Sequence, residues 1–351
     1  MYYTKRNSRR VLTDFPRRGE ADPRRIGSAN SLNIMMIDAR ERGVNNYEDA
    51  RKTEIIEILK DITLRDLPSP GLRVSSVPSL FLLRRDEKLI SQNCMSEPMV
   101  ALLIQGRKEM RFGRQEYELT EGQITVVCVE SPSSSYIIEA SRARPFLTVY
   151  FTLDVKILTD IIAEMPSESR PKAEKEAPIH VMDASLEFME TFLRLVQLIG
   201  KPERIPILAP LILRELHYLL LVGPQGSLLQ DLYMRGARDN RIIDAIGILK
   251  KHLNRSIPVE ALARKVNMSV SSLHRQFKRI TGVSPLQYHK KLRLCEAQRR
   301  MLAENERADM AALSVGYESI TQFNREYKRL FGEPPLRDIR ARKRKIESGE
   351  G

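Results

Sequence analysis

Residues 271–285 read SSLHRQFKRITGVSP, and residues 321–335 read TQFNREYKRLFGEPP. Laid side by side, the two stretches match in chemical type at Leu273 and Phe323, Arg275 and Arg325, Phe277 and Tyr327, Lys278 and Lys328, Arg279 and Arg329, Gly282 and Gly332, and Pro285 and Pro335. In each stretch the two apolar residues stand four apart, which puts them on one face of a helix. Ser271, His274, Arg275 and Lys278 then fall on the opposite, outer face. Gly282 is suited to the left-handed conformation in which such a helix stops, and Ser284-Pro285 supplies a cap and a first-turn proline for the next one. Duplication of so basic a helix suggests two equivalent surfaces set against a polyanion with its own regular repeat.

The surroundings repeat as well. Val259 to Val266 reads as a short helix with Leu262, Ala263 and Val266 inward, broken at Asn267-Met268-Ser269. Met310 to Val315 is its counterpart, followed by Gly316-Tyr317-Glu318-Ser319, with one extra residue in the turn. Short helix, turn and second helix is the helix-turn-helix pattern, with reading helices at about 269–281 and 319–331. One such helix is well explained as a solvated face; two in register with matched turns are not. Between them Leu286 to Leu302 can run as one helix of about 26 Å. A strut of that length can hold two reading helices near the ~34 Å repeat of the major groove on one face of B-DNA.

Charge follows the same division. Residues 238–351 carry 25 Lys+Arg against 13 Asp+Glu, residues 1–52 carry 12 against 7, and residues 53–237 carry 21 against 25. Basicity therefore sits on the repeat and on the N-terminal segment, as binding to a phosphate backbone by counterion release requires.

These residues resemble the AraC/XylS transcriptional regulators. The matching elements are Leu262-Ala263, Met268-Ser269 and Leu273 to Pro285, then Val315-Gly316-Tyr317-Glu318-Ser319 and Phe323 to Pro335. The resemblance implies an all-α C-terminal domain at 239–342, with two helix-turn-helix motifs joined by a long helix. Asp239 would cap its first helix, and Ile242, Ile243, Ile246, Leu249 and Leu253 would form that helix's apolar stripe. Asn267 stands where such domains often have glycine, a tolerable change because Asn is the next most permissive residue for a left-handed turn. The resemblance further implies base reading by Ser271, His274 and Arg275 in the first motif and by Thr321, Asn324 and Arg325 in the second. The spacing i, i+3, i+4 independently puts each trio on one face. Lys278, Arg279, Lys328 and Arg329 would hold phosphates, and either Arg275 or Arg325 could instead be an intramolecular tether.

The middle segment, 53–225, begins with a helical pattern at Glu54 to Thr63. It then changes to short β-prone runs: Leu80–Leu83, Met99–Ile104, Glu109–Phe112, Gln123–Val129, Tyr136–Glu139 and Phe146–Phe151. Gln105-Gly106-Arg107-Lys108, Phe112-Gly113, Tyr117, Gly122 and Pro145-Phe146-Leu147 are similar to the cupin-like barrel of AraC-type N-terminal domains, so an α+β sensing domain is expected. No histidine lies between Leu72 and Phe151, which excludes a His-ligated metal centre of the kind cupin enzymes use. The barrel packs an apolar interior or holds a small organic ligand.

Helical patterns follow at Val155–Met165, Ala184–Ile199 and Pro206–Val222, with stripes wide enough for core or for a dimer interface. Residues 226–238 read as a linker or short helix, and 343–351 as a tail. Residues 1–52, with Arg9-Arg10, Arg17-Arg18 and Arg24-Arg25 among Pro, Gly, Ser and Asn, read as a disordered basic extension. Cys94, Cys128 and Cys295 are widely spaced and form no CxxC, so neither a disulfide framework nor a zinc site is expected. Arg214, Glu215 and His217 interrupt the most apolar stretch, and the N-terminus has no secretory apolar core, which points to a cytoplasmic setting.

The expectation is a two-domain regulator of transcription, without enzymatic activity, metal or cofactor, that binds double-stranded DNA as a homodimer. A small-molecule effector is a possible partner, and RNA polymerase is another if the protein activates. A nonspecific architectural DNA binder and a cupin enzyme with a basic tail remain as alternatives.

Overall fold

Alternation of inward and outward residues in the middle segment resolves into two antiparallel sheets. The computed structural model describes residues 46–91, 95–113, 115–166, 178–234 and 239–347. A helix, α1 (residues 46–66), leads into ten strands: β1 (Gly71–Val74), β2 (Leu80–Arg85), β3 (Leu89–Ser91), β4 (Met99–Gln105), β5 (Arg107–Phe112), β6 (Gln115–Leu119), β7 (Gln123–Val127), β8 (Ser133–Glu139), β9 (Phe146–Thr152) and, after a helix, β10 (Ile179–Asp183). The larger sheet has the order β1-β2-β9-β4-β7-β10, and the smaller has β3-β8-β5-β6.

One face of the larger sheet carries Leu80, Leu82, Val100, Leu102, Leu147, Val149 and Phe151, all fully buried. They pack with Ile55 and Leu59 of α1 and with Leu158, Phe192 and Leu216 of the helices α2 (Val155–Glu164), α3 (Leu186–Gln197) and α4 (Ile205–Val222). Burying a ring such as that of Phe151 stabilises by about 1.5–3 kcal/mol. The opposite face turns toward the smaller sheet, where Met110, Phe112, Ile137 and Phe146 make a second apolar cluster.

Among the described residues the strands form two separate hydrogen-bonded sheets, so the cupin-like barrel is not closed. Strands β1, β3, β6 and β10 were not expected. Strand β6, Gln-Glu-Tyr-Glu-Leu, is an edge strand of mostly exposed residues, and its alternation is only two apolar residues long, Tyr117 and Leu119 between exposed glutamates. Strand β10 also brings in His180, which follows the expected strands in sequence and pairs opposite Val126 at the edge of the larger sheet.

The segment Pro202–Val222 has the length and hydropathy to cross a membrane by composition alone. In the fold Ala209, Ile212, Leu213, Leu216, His217, Leu220 and Leu221 of α4 are buried within the domain. His217 takes part in this core: its Nε2 accepts from the Asp154 backbone N–H at 2.9 Å at the start of α2, and burial pushes its pKa down. Residues 226–233, read as linker or short helix, form α5 (Gly226–Tyr233), in which Leu228, Leu229, Leu232 and Tyr233 are buried. Cys128 is buried, and Cys295 is disulfide-bonded, contrary to the expectation from spacing. Cys94 and the extension up to residue 45 lie outside the described residues.

The C-terminal helices are α6 (Asn240–Lys251), α7 (Val259–Lys265), α8 (Val270–Thr281), α9 (Pro285–Ala303), α10 (Ala308–Ser314), α11 (Ile320–Phe331) and α12 (Pro335–Glu347). Helix α9 is the expected strut, started by a capping box between Ser284 and Gln287. Its first half gives Tyr288 and Leu292 to the core around α6, α7 and α8, and its second half gives Leu294, Ala297 and Met301 to a separate core around α10 and α11.

Candidate nucleic-acid interface

Each reading helix begins at a serine cap: Ser269 accepts from the Ser272 N–H, and Ser319 accepts from the Gln322 N–H. Both end on a glycine with positive φ, Gly282 at 75° and Gly332 at 86°. The turn ahead of α8 is made by Asn267 at φ 52°, the left-handed conformation expected of it, and the turn ahead of α11 by Gly316 at 83°. Gly316 is required for a second reason. A Cβ there would stand 2.3 Å from the Asn254 carbonyl oxygen, because this turn lies against the chain that follows α6.

With caps and turns fixed in this way, the burial of each helix follows the repeat. Leu273 and Phe277 in α8, and Phe323 and Tyr327 in α11, are fully buried. Ser271, His274, Arg275 and Lys278 are exposed on α8, as are Thr321, Asn324, Arg325, Lys328 and Arg329 on α11. Each set thus forms one solvent-facing surface, and none of its basic side chains has an ion-pair partner among the described residues.

Arg279 departs from its repeat partner. Its guanidinium pairs with the buried carboxylate of Asp239, at the start of α6. Asp239 stands at the expected cap position, yet its side chain makes no capping bond. The intramolecular tether is therefore Arg279, neither Arg275 nor Arg325, and Arg279 is not a free cation for phosphate. Lys278, Lys328 and Arg329 also lie in the last turns of their helices, where the macrodipole favours positive charge.

Helix α11 is held by buried polar groups of its own domain. Asp338 accepts from Tyr327 Oη at 2.8 Å and from Gln298 Nε2 at 2.7 Å. Although burial pushes the Glu326 pKa up, bonds from Lys290, Tyr317 and Gln322 hold it below the usual carboxylate range. Beside this helix a groove of about 620 Å³ is lined by Asn324, Arg325 and Lys328, with Arg307, Asp309 and Leu336 from the flanking segments. Sequence reading did not include Arg307, although its position just before α10 on the side of the reading helix is the signal that could have found it.

Helix α8 is held differently, because the N-terminal domain touches its end. A Cβ at Gly282 would stand 3.1 Å from Cε1 and Cζ of Phe112, and one at Gly113 would stand 3.3 Å from the Gly282 carbonyl oxygen. Nearby, Lys250 pairs with Glu130 at 2.6 Å, and Tyr288 Oη donates to the Glu130 carbonyl at 3.2 Å. Arg293 joins the two motifs, donating from Nε to the Leu253 carbonyl at 2.7 Å and from Nη1 to the Gly316 carbonyl at 3.5 Å. Among the described residues no group of three or more His, Cys, Asp or Glu is placed to hold a metal ion.

Comparison with known proteins agrees with this layout. Residues 76–228 match the AraC-type transcriptional regulator N-terminus, and residues 262–341 match a helix-turn-helix domain. The HTH-type transcriptional activator RhaS of Escherichia fergusonii is 32% identical over 122 residues, which is 35% of this chain and 42% of that protein. RhaS of Pectobacterium carotovorum is 22% identical over 238 residues, 67% of this chain and 82% of that protein. In fold, ToxT from Vibrio cholerae superposes with a TM-score of 0.51 at 11% identity, covering 77% of this chain and 98% of that one. Two family models in the expected order, over a fold with the same two-part architecture, leave one assignment: the chain belongs to the AraC/XylS family of transcriptional regulators.

Proposed function

We propose that the protein is an effector-responsive transcription regulator that reads a bipartite DNA site through α8 and α11. The observation that carries this reading is the pair of matched outer faces, each basic and exposed over a buried apolar stripe. Arg275 and Arg325 are suited to guanine, Asn324 to adenine, and Ser271, His274 and Thr321 to less committed contacts. Lys278, Lys328 and Arg329 are suited to phosphates. The outer faces differ at His274 against Asn324, which a purely architectural binder does not need.

Homodimerisation is supported by Ile207, Leu211, Tyr218 and Val222, which are exposed along α4. The activator names of the relatives support contact with RNA polymerase as the output and a cytoplasmic site of action, with no enzymatic step. The test is selection of bound duplexes from a random-sequence pool by the full chain. Enrichment of two half-sites about one helical turn, ~10 bp, apart is expected. Retention of unenriched sequence would leave only the architectural reading.

A further inference from the structure

Between the two sheets lies a cleft of about 420 Å³, and its lining is chemically uneven. Leu72, Leu83, Met99, Ile137 and Phe146 make one part of it apolar, and Lys108 stands among them. Register explains how it comes to be there. In β5 the residues at 108, 110 and 112 share one face, and Met110 and Phe112 are 1% and 3% exposed, so Lys108 occupies an inward position opposite Ile137 of β8. Its ammonium group has no hydrogen-bond or ion-pair partner among the described residues, although three donors are available. A cation partly withdrawn from water beside apolar side chains costs free energy unless something compensates for it.

From the larger sheet, Arg85 of β2 and Thr148 and Tyr150 of β9 line the same cleft, with Ser96 and Glu97 ahead of β4. We infer that this cleft is the effector site and that it takes a small amphiphilic anion, a carboxylate or phosphate monoester on a compact apolar body, with the negative group on Lys108. The inference deepens the effector-responsive reading and rests on it only for the word effector, because ligand binding is measured without DNA. The site is also connected to the DNA reader. The strand that carries Lys108 ends at Phe112, beside Gly113, and these two residues abut the Gly282 cap of α8. An anion that draws Lys108 across the cleft therefore acts on the strand that touches a reading helix.

The probe pair is 8-anilinonaphthalene-1-sulfonate and the uncharged N-phenyl-1-naphthylamine, which share an apolar body and differ in the anionic group. On the full chain the sulfonate should bind at least tenfold more tightly than the neutral analogue. Lys108→Met should remove that preference while leaving neutral binding unchanged, and Lys108→Arg should keep it. Displacement by octanoate or by octyl phosphate then separates carboxylate from phosphate recognition. Burial holds the Lys108 pKa down to about 8, so sulfonate affinity should fall as pH rises from 7 to 9 in the wild type and stay flat in Lys108→Met. The other titratable groups lining the cleft are Arg85, Glu97 and Tyr150, whose hydroxyl burial holds up at about 12. Thermal melting monitors folding, and removal of an unpaired, half-buried cation should leave Lys108→Met no less stable. Equal binding of the two probes, or a charge preference that survives in a folded Lys108→Met protein, overturns the inference, as does the absence of binding by either probe.

Discussion

The two helix-turn-helix motifs are nearly the same in sequence and are held in different ways. Helix α11 sits on a core of its own, with Tyr327 and Glu326 bonded to groups from α9, α10–α11 and α12. Helix α8 shares a continuous core with the N-terminal domain, is tied by Arg279 to Asp239, and ends against Phe112 and Gly113. A duplicated helical surface has thus been divided: one copy stands on a core of its own, and the other touches the N-terminal domain. The N-terminal domain is in direct contact with α8, whereas α11 is linked to it through the first motif, by the strut α9, Arg293 and the Gly316 turn packed against Asn254.

The strongest way to break this arrangement is at the turn that seats the second motif on the first. Gly316→Ala combines a positive φ with a Cβ placed 2.3 Å from a backbone oxygen, and should destabilise by about 3 kcal/mol, read by denaturant unfolding. Seating of α11 should be lost with it, so hydrogen exchange in that helix should accelerate more than in α8.

A pair of smaller changes separates tether from contact. Arg279→Ala leaves the buried Asp239 carboxylate unpaired and should cost about 1–2 kcal/mol of stability. Arg329→Ala, at the matched position, should cost less than about 0.5 kcal/mol of stability yet weaken DNA binding and lower its salt dependence. Equal stability losses in the two variants would erase the distinction between the motifs.

Acid sharpens the same contrast with a weaker effect. Burial and then Arg293 hold the His289 pKa down to about 4, against 6.5 for a free histidine. As pH falls the unfolded chain takes up its proton first, so the stability contributed by neutral His289 is intact above 6.5 and is lost between 6.5 and about 4. His289 lies in the first half of α9, so amide exchange in this window should rise around α8 before α11.

How much of this was legible depended on the range of the contacts. The reading helices, their caps and the left-handed turn at Asn267 follow from neighbours within a few residues, and the repeat stated them twice. Strands β1, β3 and β6 escaped because they are short edge strands, and β10 because two strands and a helix separate it from β7, with which it pairs. The Arg279–Asp239 tether spans forty residues, and the contact between Gly282 and Phe112 joins two domains. Neither has a local signature. Lys108 could have been found: starting the strand at Arg107 instead of Glu109 puts a lysine in the alternation of Met110 and Phe112.

The central claim is that the outer faces of the repeat read bases and do not merely attract phosphate. Binding of the Arg325→Ala and Lys328→Ala proteins should be measured over a series of single-base variants of the selected site at several salt concentrations. Arg325→Ala should lose about 1–3 kcal/mol on the best site and relax preference at one or two base pairs, while Lys328→Ala should weaken every variant alike and lower the salt slope by about one. Equal losses on every variant for Arg325→Ala, with its preference profile unchanged, would contradict the claim.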